Sequence, residues 1–213
     1  MIFALPQGLG RDWARDLESA VALAPTHLSL YGLTVEPRTP LARWVSRGAT
    51  APAADERYAH EYLAAHERLG AAGYRFYEVS NAARDGHRAR HNWAYWTLAP
   101  YVGLGPAAHS FDGTRRRWNV GPWEAYRRRV SAGRSPVESE ERLGAAEREL
   151  EGVYLGLRTE RGVARAACPP DLLGTWERSG WVRVVADRVV CSAEGWLRLD
   201  ALVGALTARP RMS

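Results

Sequence analysis

Apolar residues near the start of the chain alternate between short continuous runs and longer amphipathic stretches. Met1 to Leu5 is an unbroken apolar run of strand length, a pattern suited to a strand buried on both faces. Asp12 to Leu23 carries Trp13, Leu17, Val21 and Leu23 at roughly helical spacing, and Pro25 closes it. His27 to Val35 reads as a second strand, followed by a loop through Glu36-Pro37 and Thr39-Pro40. Asp55 to Ala72 is an amphipathic helix with Tyr58, Tyr62, Leu63, His66 and Leu69 along one side, ended by Gly73. Tyr74 to Val79 is a third strand. Strand, helix, strand, helix, strand implies an α/β fold with right-handed parallel crossovers. A chain that opens inside a buried parallel strand leaves that strand without a neighbour, so further strands before Met1 are expected.

From Ala82 to Ser110 the pattern is irregular, with a short helix at Asn92–Leu98. Another helix covers Trp123 to Val130, and Gly133-Arg134-Ser135-Pro136 breaks the chain. A helix from Arg142 to Leu157 follows, with Leu143, Leu150, Val153, Tyr154 and Leu157 in one stripe. Then come a helix at Asp171–Arg178, strands Trp181–Val185 and Arg188–Cys191 joined through Ala186-Asp187, and a last helix at Ala193–Leu206. Helix, helix, hairpin, helix is a winged-helix arrangement. The division expected is therefore residues 1–134 and a small helical, winged-helix-like domain at 135–213, with Ala208 to Ser213 a frayed tail.

Composition narrows the function classes. The chain has 213 residues, 46% of them hydrophobic and 25% charged, as in ordinary globular proteins. No run approaches the roughly 18 apolar residues of a membrane span. The apolar start has no basic flank and meets Pro6 early, unlike a signal or transit peptide. With only Cys168 and Cys191 as thiols, a reducing cytosol is the expected setting. The net charge is +5, yet all 29 basic residues are arginine. The absence of lysine removes Schiff-base and phosphate-loop lysine chemistry and makes the basicity weak evidence for nucleic acid. The last helix, with Trp196, Leu197, Leu199, Leu202, Val203 and Leu206 but only Arg198 as a basic residue, has a packing rather than a groove-reading character, so no nucleic-acid partner is expected.

Chemistry-bearing residues concentrate between Tyr74 and Trp118. His91 and Tyr95, four apart, share a helix face, and Asn92 with Trp96 forms an adjacent pair. Such a patch could hold a flat aromatic ligand with His91 as axial ligand to iron and Asn92 orienting it; it could equally be core with a locally packed histidine. Gly103-Leu104-Gly105-Pro106, ahead of His109, suits a tight path beside a ligand, or a plain turn before a strand. Glu78, at a strand end, occupies the rim where parallel sheets build sites. Arg115-Arg116-Arg117 and Arg127-Arg128-Arg129 could pair with propionates or form solvated faces.

In this order the pieces resemble one family. They are His27 to Pro37 (His-Leu-Ser-Leu-Tyr-Gly-Leu-Thr-Val-Glu-Pro), Tyr77-Glu78-Val79-Ser80-Asn81, His91-Asn92-x-x-Tyr95, and Gly103-Leu104-Gly105-Pro106-x-Ala108-His109-Ser110-Phe111. The chain resembles the carboxy-terminal portion of radical-SAM heme chaperones of the HemW type, relatives of oxygen-independent coproporphyrinogen III dehydrogenase. The resemblance implies the C-terminal part of a partial (β/α) barrel followed by the winged-helix-like domain. It implies heme binding at His91, Asn92 and Tyr95, with His91 on the heme iron, and a S-adenosylmethionine wall near Leu33 and Thr34. It further implies a cytosolic protein that holds heme and passes it to an acceptor protein. The family's Cys-x-x-x-Cys-x-x-Cys loop, which binds a 4Fe–4S cluster, has no counterpart here, so neither the cluster nor radical chemistry is expected on this chain. The alternative functions are a coproporphyrinogen III oxidase or dehydrogenase and a winged-helix nucleic-acid-binding protein.

Overall fold

A computed structural model describes residues 1–6, 8 and 10–207, so the tail expected at Ala208–Ser213 lies outside the described residues. In chain order the elements are β1 (Ile2–Phe3), α1 (Trp13–Ala22), β2 (His27–Ser29), β3 (Tyr31–Gly32), α2 (Pro40–Ser46), α3 (Asp55–Ala71), β4 (Arg75–Glu78) and β5 (Asn81–Ala83). They continue with α4 (Arg90–Trp96), β6 (His109–Phe111), β7 (Arg115–Asn119), α5 (Trp123–Ser131), β8 (Val137–Arg142) and α6 (Ala145–Arg158). The remainder are β9 (Val163–Ala164), α7 (Pro170–Arg178), β10 (Val182–Val185), β11 (Arg188–Cys191), α8 (Ala193–Trp196) and α9 (Leu199–Thr207). The described residues form two compact units, residues 1–89 with 157–206, and residues 90–156 with 207. The sheet of the second unit runs across the break at 133–136, because β8 pairs with β7.

In the first unit, local chemistry sets the helices. Asp12 caps α1 by accepting from the Arg15 N–H at 3.1 Å, and Trp13, Leu17 and Ala20 are buried. Helix α3 buries Tyr62, Ala65 and Leu69 and receives Phe3, whose ring packs against Trp13, Tyr58 and Tyr62. Trp13 Nε1 donates to the Glu61 carbonyl at 2.7 Å, and the Ala4 N–H to the Glu61 carboxylate at 2.6 Å. Thr39 caps α2, a helix that begins with a proline in its first turn and stands where a loop was expected.

The strands depart further from expectation. β1 and β3 are parallel, but Ile2 and its register partner Tyr31 are 47% and 51% exposed, so the first strand is not buried on both faces. The second expected strand divides at Leu30, with β2 joining a different sheet from β3. That sheet has the order β2-β5-β4 and is antiparallel throughout. Asn81–Ala83, expected to be irregular, turns back directly after β4 and fills the place between β2 and β4, so those two strands run in the same direction, connected by way of α3, without being neighbours.

The later part of this unit matches the helix–hairpin–helix order, with β10 and β11 antiparallel and β9 added to β11. The last helix is two pieces, α8 and α9, and Leu199, Leu202 and Val203 are buried as a packing helix requires. His66 lies in an aromatic box, stacked on Phe76 at 3.6 Å and tilted against Trp196 at 5.6 Å. Trp196 Nε1 in turn donates to the Leu157 carbonyl at 3.0 Å.

The second unit contains the antiparallel sheet β6-β7-β8, an arrangement that alternation did not announce because β7 and β8 read Arg-Arg-Arg-Trp-Asn and Val-Glu-Ser-Glu-Glu-Arg. Its charges pair across the ladder. Arg116 reaches Glu141 at 3.1 Å and Glu151 at 2.7 Å, while Arg115 faces Glu140 at 3.8 Å.

Two outcomes follow from this packing. Burial lowers the His66 imidazole to a pKa of about 4 from an ordinary 6.5, so the unfolded chain takes up the proton first as pH falls. Stability from this residue is complete above about pH 6.5 and is lost toward pH 4; urea midpoints of the intact chain should fall across that window, and His66→Leu should flatten the fall by on the order of 1–3 kcal/mol. A Cβ on Gly103 would stand 2.0 Å from the His109 carbonyl oxygen, a backbone atom that cannot swing away. Gly103→Ala should therefore destabilise the second unit by roughly 1–3 kcal/mol in thermal melts, whereas a change at exposed Leu104 should not.

Candidate functional site

The His-Asn-x-x-Tyr segment forms α4, so its first and last members meet one turn apart. The His91 Nε2 and the Tyr95 hydroxyl are 2.8 Å apart, with the rings edge to face at 4.8 Å. His91 is exposed, and Tyr95 and Asn92 are half-buried. It is Tyr95, rather than Asn92, that engages this nitrogen. The helix ends where Thr97 donates its hydroxyl to the Trp93 carbonyl at 2.9 Å and Leu98 adopts a left-handed φ of 53°.

Tyr95 also meets Tyr101 edge to face at 4.5 Å. Tyr101 is fixed in turn by two backbone hydrogen bonds with Phe111, at 2.8 and 2.9 Å, and Phe111 is buried. His91, Tyr95, Tyr101 and Phe111 thus make a file of rings from solvent to the core of this unit. The spacing of His91 and Tyr95 was readable from the sequence; the contribution of Tyr101 was not, since it comes from a β-bridge.

The glycine loop begins at the far side of Tyr101. Its path is held by polar contacts to three elements: the Gly103 N–H donates to Ser110 Oγ at 3.0 Å and the Gly105 N–H to the Tyr126 hydroxyl at 3.2 Å. Buried Asn119 donates its side-chain amide to the Gly105 carbonyl at 2.9 Å. Gly105 has a φ of 106°, open to glycine and strained for other residues. The arch so formed turns Val102 and Leu104 outward, at 79% and 87% exposed. Asn119 carried no sequence signal beyond its place after Trp118.

Other candidates take structural positions. His109 is exposed on β6 and stacks on its cross-strand partner Trp118 at 5.7 Å. The arginine runs are engaged by protein groups: Arg117 faces Asp112 at 3.9 Å, Arg127 pairs with Glu124 at 2.8 Å, and Arg129 donates to the Val137 carbonyl at 2.8 Å.

In the first unit, Glu78 is fully buried, facing Arg158 at 2.8 Å and accepting from the Asn81 side chain and, at 3.0 Å, from the Ser80 N–H. Burial pushes its pKa up, opposed by Arg158, Asn81 and Ser80. This carboxyl at the strand end is an internal ion-pair member. Leu33 and Thr34 follow β3; the Leu33 N–H donates to the Phe3 carbonyl at 2.9 Å, Leu33 is half-buried and Thr34 exposed. Cys168 and Cys191 are buried, and burial raises their thiols to about 11 and about 12. Two protonated, enclosed thiols do not match the donor set of an iron–sulfur cluster, which needs thiolates. Among the described residues no three His, Cys, Asp or Glu side chains converge on a metal-sized site.

No family model matches the chain. It is 37% identical to the heme chaperone HemW of Mycobacterium tuberculosis over 97% of its own length and 54% of that protein. Over its full length it is 32% identical to the mouse mitochondrial radical S-adenosyl methionine domain-containing protein 1, covering 52% of it. The chain thus spans about half the length of the curated relatives it matches. Among solved structures, coproporphyrinogen III oxidase (HemN) from Escherichia coli, a radical-SAM enzyme, superposes with a TM-score of 0.70 at 15% identity, over 97% of this chain and 53% of that one. This last likeness shows the mixed α/β fold of the radical-SAM enzymes, as the resemblance implied. Sequence kinship and fold together relate the chain to HemW-type radical-SAM proteins, matched over about half their length.

Proposed function

We propose that this chain holds heme as cargo and passes it to an acceptor protein, with His91 as axial ligand to the iron and Asn92 and Tyr95 completing the site. The observation that carries the reading is the exposed His91 imidazole at the open end of the ring file through Tyr95 and Tyr101. A porphyrin is a flat apolar ring around a metal, so it calls for an imidazole nitrogen beside apolar and aromatic surface. The second unit offers both, with Val102 and Leu104 turned to solvent on the arch that follows Tyr101. The names of the relatives support the same cargo, since the mycobacterial protein is a heme chaperone.

We further propose Leu33 and Thr34, just past the end of β3, as part of the wall of a S-adenosylmethionine site, the role that the family resemblance implies for them. The thiols of this chain do not fit a 4Fe–4S cluster, and no step is derived through one. A reducing cytosolic setting suits two free thiols, and among the described residues no helix is long and apolar enough to cross a membrane. The likeness to coproporphyrinogen III oxidase concerns fold, and the cargo reading is favoured over porphyrinogen decarboxylation by the heme-chaperone relative.

Hemin titration of the chain, followed at the Soret band, tests the proposal. Wild type should give a saturable, shifted band, and His91→Ala should weaken binding by at least about tenfold, the cost of losing the ligand bond being well above 1.4 kcal/mol. Equal binding by the two chains removes His91 from the role.

A further inference from the structure

We propose that the Tyr95 hydroxyl is a built-in competitor for the His91 nitrogen, a positioning residue that makes heme ligation reversible. The inference rests on the cargo reading above and concerns how the same site loads and releases. Its ground is the 2.8 Å contact between the Tyr95 oxygen and Nε2.

That contact excludes an iron on Nε2 in either tautomer. If Nε2 is bare, its lone pair accepts the tyrosine O–H; if it is protonated, it donates to the tyrosine oxygen and has no lone pair to give. Iron on an imidazole nitrogen sits at about 2 Å along the same direction, comparable to the zinc–nitrogen distance, so the phenol oxygen must leave before the metal arrives. The helix makes the exchange local, because His91 and Tyr95 are one turn apart and the hydroxyl is the part of Tyr95 farthest from its backbone. Exposure of His91 allows its ring to turn toward solvent, while the edge-to-face contact with Tyr101 at 4.5 Å holds Tyr95 where it can return.

Heme entry therefore exchanges one hydrogen bond for one coordination bond, and heme departure is assisted by the hydroxyl taking the nitrogen back. No covalent or redox change is involved. A protein that only stored heme would gain from a bare imidazole; a carrier that must hand it on gains from a rival close by. The residue at the fourth position after the histidine then both lines the site and sets how readily the site lets heme go.

Tyr95→Phe keeps the ring and its contact with Tyr101 and deletes only the rival oxygen. Three measurements on wild type, Tyr95→Phe and His91→Ala separate the ideas: hemin affinity at the Soret band, hemin release to excess apomyoglobin, and carbethoxylation of His91 by diethylpyrocarbonate in the heme-free chain, read by peptide mass. Tyr95→Phe should bind hemin roughly 3- to 10-fold tighter and release it more slowly, the span expected for one hydrogen bond, and His91 should react several-fold faster with the reagent. Unchanged affinity and release in Tyr95→Phe, with binding still lost in His91→Ala, overturn the competitor and leave the cargo reading intact. Equal hemin binding in all three chains overturns both. An unchanged carbethoxylation rate overturns the masking of Nε2 whether or not hemin binds.

Discussion

The buried pair of Glu78 and Arg158 is the interaction on which the first unit depends. A carboxylate with no solvent exposure is tolerated because an arginine, a side-chain amide and a backbone N–H share its two oxygens. Without the arginine, an uncompensated charge there would cost about 3–5 kcal/mol. The same few residues tie the topology together. Asn81 passes the network to Ser29 on β2 through a 2.6 Å hydrogen bond, and Tyr62 of α3 donates to the Val79 carbonyl at 2.9 Å. Backbone bonds between Val79 and Arg158, and between Glu160 and Tyr77, bring the segment after α6 onto the end of β4. A chain position 80 residues downstream thereby becomes part of the wall around β4, and the strand end that sites usually occupy is given over to holding the chain together.

The second unit is organised differently. Its framework is a backbone contact, the glycine at 103 lying against the His109 carbonyl, with Asn119 spanning the arch beside it. Charge in this unit is abundant and much of it is paired internally, the β7 residues Arg115, Arg116 and Arg117 each facing a carboxylate of the same chain. Open to a ligand beside these pairs are the exposed Val102 and Leu104 and the exposed His91 imidazole. The two units thus separate structural polarity from exposed chemistry.

Much of the helical content was legible in the sequence because α1, α3, α5 and α7 each announce themselves by capping residues or apolar stripes. Strands fared worse for a physical reason. β7 and β8 are stabilised by cross-strand Arg–Glu pairs, so their sequence looks like solvated coil, and β5 is three small buried residues with no alternation to see. The antiparallel return of β5 after β4 depends on a tight turn through Val79-Ser80, which leaves no glycine or proline signature. In the site, the i,i+4 relation of His91 and Tyr95 was readable and their direct bond follows from it. Tyr101 and Asn119 were not readable, since both act through tertiary contacts. The arginine runs misled in the usual way, because the sequence shows a charge and not the carboxylate that faces it.

The strand β8 carries a last implication. It lies at the border of its sheet, six residues long, and all but Val137 are exposed. A border strand of that length with apolar side chains would invite another chain to pair along it. Here Glu138, Glu140, Glu141 and Arg142 make each stranger bring its own matching charges in register. The ladder that hides these residues from sequence reading thus also makes the border of this sheet a poor template for apolar strand pairing.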